Sequence, residues 1–394
     1  MPETESSSQP LRVCYFGTYR QEYSRNQIMI AGLRRAGVEV IECHAPLWHS
    51  IEDRVQTASG AWRRPSFWGR LLRAYARLLR DYWRTPDFDV LVVGYPGQFD
   101  VYLARLLSWL RRKPLVWDIF MSIYLIAVER GLDQHSPFTI GALRRVEWLA
   151  CRLPDLLILD TAEYARWFEN THGVPASRFH LVPTGADDRV FHPPEQGTES
   201  KREGFSVLYY GTFIPNHGVD TIVEAARRLS GDPEVHFELI GEGPEKAGAM
   251  ALAQKYGCSN LTFTGWMAQP TLVQRILQAD VCLGAFGTTP QSLMTVQNKI
   301  YEGLALGRPV LTGDSPALRQ ALRHGEEVYL CGRADGQALA NAILALKADP
   351  QLRLHLGANG RQRFLKEFDL LHNGLLFRSH LLPLCSRQRR PGLA

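Results

Sequence analysis

The stretch Thr289-Pro290-Gln291-Ser292-Leu293-Met294-Thr295-Val296-Gln297-Asn298-Lys299-Ile300-Tyr301-Glu302-Gly303-Leu304-Ala305-Leu306-Gly307-Arg308-Pro309-Val310-Leu311-Thr312 decides how the rest of the chain is read. Lys299 and Glu302 stand three residues apart near a helix start, and residues at that spacing share a helix face. After Gly307-Arg308-Pro309 the run reads as a strand. A cation, a carboxylate and a helix N-terminus therefore point into one cleft, a setting that suits a sugar and a diphosphate.

The pattern around this stretch is strand–helix alternation, the mark of a parallel, doubly wound sheet. Upstream, 11–17, 38–42, 90–94, 114–118, 156–160 and 180–183 read as strands, with a helix at 24–36. The polar, Pro- and Gly-rich segment 192–204 breaks the pattern and reads as a linker. Strands then restart at 206–211, 236–241, 261–265, 281–284 and 309–312, with a helix at 220–229. The expected fold is α/β: two Rossmann-like parallel-sheet domains facing an interdomain cleft. Their expected limits are 1–190 and 205–365, joined by a linker at 191–204. Residues 366–394 form a C-terminal helix and basic tail that can cross back to the first domain. Five strands (11–17, 90–94, 206–211, 236–241, 261–265) end on glycine. Ligands of open α/β sheets bind beyond such strand ends, where glycine admits close backbone approach. Simple turn chemistry accounts for part of this set.

Composition narrows the classes. The 394 residues carry a formal net charge of +5, milder than expected of a whole-protein nucleic-acid binder. Seven cysteines are scattered without a CxxC pair, which reads as free thiols in a reducing compartment. The acidic, Ser-rich start is unlike a signal peptide, and no run is long and apolar enough to span a bilayer. The expected location is cytoplasmic, with peripheral attachment at the inner face of the membrane left open.

Several segments of the second half together resemble the donor domain of GT4-type (group 1) glycosyltransferases of the GT-B fold. They are Gly211-Thr212-Phe213-Ile214-Pro215-Asn216-His217-Gly218-Val219-Asp220, Gly241-Glu242-Gly243-Pro244, Phe263-Thr264-Gly265-Trp266, Ala279-Asp280-Val281 and the run from Asn298 to Val310. The first half is similar more loosely, through Gly17 and Val116-Trp117-Asp118. The resemblance implies a nucleotide-diphosphate-sugar co-substrate on the second domain, with no cofactor and no metal. It also implies a hydroxyl acceptor on the first domain, on a glycan or lipid-linked precursor, and retention of anomeric configuration in a hexosyl transfer. Two departures stand out. The family usually has two glutamates eight apart, and here Met294 precedes Glu302. A lysine is frequent where this chain has His217.

On this reading Lys299 is the diphosphate cation, and Glu302 accepts hydrogen bonds from the ribose, as the matching family position does. A first-turn carboxylate facing the helix dipole is the plainer view of Glu302. Asn298 precedes the cation. Gly211, Thr212, Gly241 and Gly243 border the phosphates, and the Gly265-Trp266 backbone holds the base. His217 is either a phosphate donor or a loop residue. In the first half, Asp118 is either a base for the acceptor hydroxyl or a helix cap. Gly17, Tyr19, Arg20 and Arg25 are candidates for the acceptor side. Asp87-Phe88-Asp89 reads as a loop entering a strand, not a metal site. Competing functions are a GT-B sugar-nucleotide epimerase and a non-catalytic donor-binding or membrane-associated partner.

Segment 62–84 is the second informative run. Trp68, Leu71, Leu72, Tyr75, Leu78, Leu79 and Tyr82 follow helical spacing, with Arg70, Arg73, Arg77, Arg80 and Arg84 opposite. It suits an anionic membrane surface, or a sheet-packing helix with solvated arginines.

Overall fold

The computed structural model describes residues 10–47, 65–194 and 204–388. Most of the expected linker (195–203), residues 62–64 and the Arg389-Arg390 end of the tail lie outside the described residues. The chain divides into two compact units, Met1–Pro183 with Leu370–Ala394, and Thr184–Asp369.

In the first unit, strands and helices alternate as β1 (Arg12–Gly17), α1 (Ser24–Arg35), β2 (Glu39–His44), α2 (Pro65–Arg84), β3 (Val90–Val93), α3 (Asp100–Leu110), β4 (Leu115–Asp118), α4 (Pro137–Ala150), β5 (Leu156–Leu159) and β6 (Phe179–Leu181). The six strands form one sheet in the order β2-β1-β3-β4-β5-β6, and every pairing is parallel. β3, β4 and β5 are buried at every position, as expected where helices cover both faces of a parallel sheet.

The second unit repeats the design. β7 (Phe205–Tyr210), β8 (Val235–Ile240), β9 (Leu261–Thr264), β10 (Val281–Leu283), β11 (Val310–Gly313) and β12 (Tyr329–Cys331) form a parallel sheet in the order β12-β11-β10-β7-β8-β9. Two short helices, α5 (Pro290–Met294) and α6 (Asn298–Ala305), separate β10 from β11. β12 is absent from the sequence reading, and all three of its residues are only half-buried.

The expected domain limits need correction. The units divide after Pro183 rather than after 190, because Ala186 and Phe191 are buried in the second unit's core. The second limit falls after Asp369, not 365. The C-terminal helix expected within 366–394 is α7 (Leu370–Gln388), and it follows a separate helix, Pro350–Glu367. Phe368 enters the second core, whereas Leu370, Phe377 and Leu381 enter the first.

α7 packs along α1 through facing glycines. A Cβ on Gly374 would run into the Gly32 carbonyl, and one on Gly32 would lie 2.8 Å from the Leu370 carbonyl oxygen. Arg378 Nη1 donates to the Ala36 carbonyl at 3.0 Å, closing the end of α1. Gly374→Val should therefore lower stability by about 1–3 kcal/mol, the usual cost of overpacking. A urea midpoint that falls with an unchanged slope is the expected readout, and an unmoved midpoint would mean the helices do not meet this way.

Candidate functional site

α6 opens at Asn298 with Gln297 as its cap, so Lys299 and Glu302 fall on one face of its first turns. Lys299 is buried, and its Nζ has no hydrogen-bond partner among the described residues. The ammonium lies 4.0 Å from the centroid of the Tyr209 ring, within cation–π range. Gly211 closes the other side. Its φ is +142°, and a Cβ there would stand 2.8 Å from Nζ, so geometry and space both call for glycine.

The neighbouring glycines let the strand-end loops touch. A Cβ on Gly241 would strike the Gly211 carbonyl, and one on Gly243 the Phe213 backbone. The Gly211 amide donates to Ile240 and the Gly241 amide to Thr264, so neither is a spare phosphate donor. Their contribution is the missing side chain. Gly265 lies beside Glu242, which is paired with Lys246 at 2.7 Å, and Trp266 is exposed.

Burial pushes the Lys299 ammonium down to about 7, opposed by the charge of Glu302. Burial pushes the Glu302 carboxyl up to about 7, opposed by a Tyr210 hydrogen bond and by Lys299. The single proton of the Tyr210 hydroxyl is shared between Glu302 and the Lys299 carbonyl, which lies 3.0 Å from Oη. His217 does not supply a standing cation. Burial, and then Lys299, hold its imidazole well below its ordinary value. Its Nδ1 lies 2.5 Å from the Thr212 carbonyl, which assigns the ring's one proton to that bond. Tyr209 Oη donates to the same carbonyl at 3.0 Å. His217 thus pins the turn after β7.

Arg333 was not found by sequence reading, since nothing marks a lone arginine after a three-residue strand. Its Nη1 donates to the Gly287 carbonyl (2.7 Å) and Ser292 Oγ (2.8 Å), and its Nε donates to the Asp314 carbonyl (2.6 Å). Ser292 Oγ in turn donates to the Asn216 carbonyl at 2.6 Å. These bonds tie α5 to the residue before His217. Met294, the last residue of α5, is buried.

The first unit holds a separate cluster at its own strand ends. Gly17 has the same φ, +142°, as Gly211, but its would-be Cβ meets Asp100 Oδ2 at 2.8 Å. Asp100 accepts from the Thr18 amide at 2.7 Å and from Tyr75 Oη at 2.7 Å. A protein carboxylate fills the turn here, so Gly17 does not border an anion site.

The acceptor-side expectations are corrected in three places. Arg25 and Asp118 form a pair with both side chains 0% exposed, joined at 2.9 Å through both Nε and Nη2. Arg25 Nη1 also donates to the Val182 carbonyl at 2.8 Å. Asp118 is therefore committed to a structural ion pair rather than offered as a base. Tyr19 is fully buried and donates to Glu42 at 3.2 Å. Arg20 alone of that set keeps partial exposure. Asp160, after β5, was missed: no side chain among the described residues holds its carboxyl, and burial raises it to about 7.

Two family models match the chain. One described as "Glycosyl transferases group 1" covers residues 204–349, and one described as "Glycosyl transferase 4-like domain" covers 21–185. The chain belongs to the group 1 glycosyltransferases. Among the relatives of this glycosyltransferase is the lipopolysaccharide core biosynthesis glycosyltransferase LpsE of Rhizobium meliloti (strain 1021). It is 29% identical over 312 residues, spanning 76% of this chain and 83% of that protein. A glycogen synthase of Mycobacterium tuberculosis is 25% identical over 66% of this chain and 64% of its own length. The sucrose-phosphate synthase of Thermosynechococcus elongatus superposes with a TM-score of 0.70 at 17% identity, covering 96% of this chain and 100% of that one. Anabaena HepE in complex with UDP gives 0.69 at 16%, covering 95% and 100%. At these identities the likeness shows a shared GT-B fold.

In this glycosyltransferase, Asp118→Asn should cost about 3–5 kcal/mol of stability, because Arg25 is left buried without its counter-charge. Chemical denaturation of the first unit measures it; an unchanged midpoint would remove the structural assignment.

Proposed function

We propose that the chain is a retaining, metal-independent hexosyltransferase. It takes a sugar from a nucleotide-diphosphate donor bound by the second unit to a hydroxyl acceptor, a glycan or lipid-linked precursor at the cytoplasmic face of a membrane. The single observation that carries the donor reading is Lys299: a buried ammonium with no hydrogen-bond partner among the described residues, beside a glycine turn. A diphosphate oxygen would supply that partner. HepE, of similar fold, has been solved with UDP and with UDP-glucose, and the printed name of LpsE is that of a lipopolysaccharide core glycosyltransferase. Both agree with this reading.

When the bond between the sugar's anomeric carbon and the diphosphate breaks, its electron pair stays on the departing oxygen. Charge developing there is stabilised by groups already in place. Lys299 faces that charge at the first turn of α6, where the helix N-terminus adds a positive end. Glu302, beside Tyr210 and on the same face of α6 as Lys299, would accept from ribose hydroxyls. The acceptor hydroxyl bonds to the anomeric carbon on the face the diphosphate leaves, and its proton passes to the leaving group.

A thermal-shift panel of UDP-, GDP-, dTDP- and ADP-sugars, followed by donor turnover with and without EDTA, tests the reading. Stabilisation and turnover that survive EDTA are expected. Lys299→Ala should lower turnover by about 10²–10³-fold with the fold intact. Near-normal turnover in Lys299→Ala and Glu302→Gln would sink the site assignment. Stabilisation without turnover would make the chain a non-catalytic donor-binding partner.

The pH dependence has a definite sign. The Lys299 value is depressed, so its charge is lost as pH rises through about 7. The Glu302 value is raised, so its negative charge appears over the same interval. Both changes disfavour an anion. UDP affinity should fall by about tenfold between pH 7 and 8.5, and Lys299→Met should flatten most of that slope. A wild-type affinity constant across this range, read by titration calorimetry, would contradict it.

A further inference from the structure

α2 divides its apolar residues between two stripes. At about 100° per residue, Leu71, Ala74, Tyr75, Leu78 and Tyr82 share one arc. Ala74, Leu78 and Tyr82 are buried. Tyr75 donates to Asp100, and the Tyr82 ring packs edge-on to Phe16. This is the stripe that holds the helix to the sheet. Trp68, Leu72, Ala76, Leu79 and Trp83 fall in a second arc of about 80° beside it. Trp68 is 49%, Leu72 69% and Trp83 56% exposed. Arg73, Arg77, Arg80 and Arg84 form the third stripe, and the single acid among the helix's residues is Asp81, already paired with Arg77 and Arg80.

The outer apolar stripe continues onto the next helix. Tyr82 Oη donates to the Leu107 carbonyl at 3.0 Å, which sets α3 beside α2. The Arg111 guanidinium lies 5.8 Å from the Trp83 ring and donates to the Tyr82 carbonyl. Leu106, Trp109 and Leu110 are all exposed in the last turns of α3, with Arg105 stacked 4.9 Å from Trp109. A folded domain with one binding face needs only the first stripe. A second stripe of tryptophan and leucine, flanked by arginines, with its neighbouring acids Asp81 and Asp155 each ion-paired to an arginine, matches a surface that is apolar just beneath a layer of negative charge. Tryptophan at the headgroup level and arginine on lipid phosphate are the side chains that such a surface retains.

We propose that the outer face of α2, with the end of α3, docks flat on an anionic lipid bilayer. The sheet of the first unit then lies about one helix diameter, roughly 10 Å, above the headgroups. That holds its strand ends within reach of a lipid-borne head group. The inference rests on the function proposed above only in its lipid-linked acceptor, and the donor site plays no part in it.

Vesicle co-sedimentation of the full chain tests it, with phosphatidylcholine alone and with 30% phosphatidylglycerol as the two surfaces, the composition being the experimenter's choice of roughly physiological charge. Binding to the anionic vesicles and weak binding to the neutral ones are expected, with loss of binding as salt is raised. Leu72→Glu and Trp109→Glu should each cut the bound fraction at least about fivefold, since each puts a carboxylate where lipid would sit. Arg77→Glu with Arg80→Glu should remove the preference for anionic vesicles. A UDP thermal shift measured on every variant reports a folded donor unit independently of lipid. A wild-type chain that binds UDP but no vesicle overturns this inference and leaves the donor reading standing. Vesicle binding without a UDP shift does the reverse. Undiminished vesicle binding by both glutamate variants would also overturn the proposal.

Discussion

A buried ammonium that no acceptor among the described residues holds is the constraint around which the second unit is organised. Lys299 stays in place because Tyr209 offers its ring face and Gly211 offers no side chain. Both depend on the turn after β7, which His217 and Tyr209 fasten through one carbonyl, that of Thr212. That turn can lie against the next strand end only because Gly241 and Gly243 lack Cβ atoms. Arg333 and Ser292 then tie α5 to the same turn from the other side. The desolvation cost carried by one lysine is met by packing spread over four loops.

The two units use one backbone device with opposite charge. β1 and β7 both end in a glycine at φ +142°, and in both a charged atom lies 2.8 Å from where Cβ would be. In the first unit that atom belongs to Asp100, a carboxylate with hydrogen bonds from Thr18 and Tyr75. In the second it belongs to Lys299, which has none. The same turn is closed by a hydrogen-bonded carboxylate in one sheet and by an ammonium without an acceptor among the described residues in the other.

Strand positions and their parallel type were legible because buried parallel strands are short continuous apolar runs, as in Val90-Leu91-Val92-Val93. The shared helix face of Lys299 and Glu302 was legible because the i, i+3 rule is local. Unit boundaries were not, since Phe191 and Phe368 look alike in sequence whichever core they enter. Asp118 was misread for a similar reason. A strand-end aspartate signals chemistry until Arg25, 93 residues away in the chain, is seen to occupy both of its oxygens. The α2 periodicity revealed an amphipathic helix but joined two apolar stripes into one, because spacing cannot say where a sheet stops covering a helix.

The sequence by itself determined the alternation of strands and helices, the glycine-ended turns and the pairing of a lysine with a glutamate on one helical turn. Each follows from interactions between residues close in the chain. Tertiary structure alone decided which of the charged side chains were already satisfied. Asp118 found Arg25 and Asp100 found Thr18 across the first sheet, whereas Lys299 was set against Tyr209 and Gly211 without an acceptor. Hydrogen bonding and burial join residues distant in sequence, and the state of a buried charge depends on those partners rather than on its neighbours along the chain.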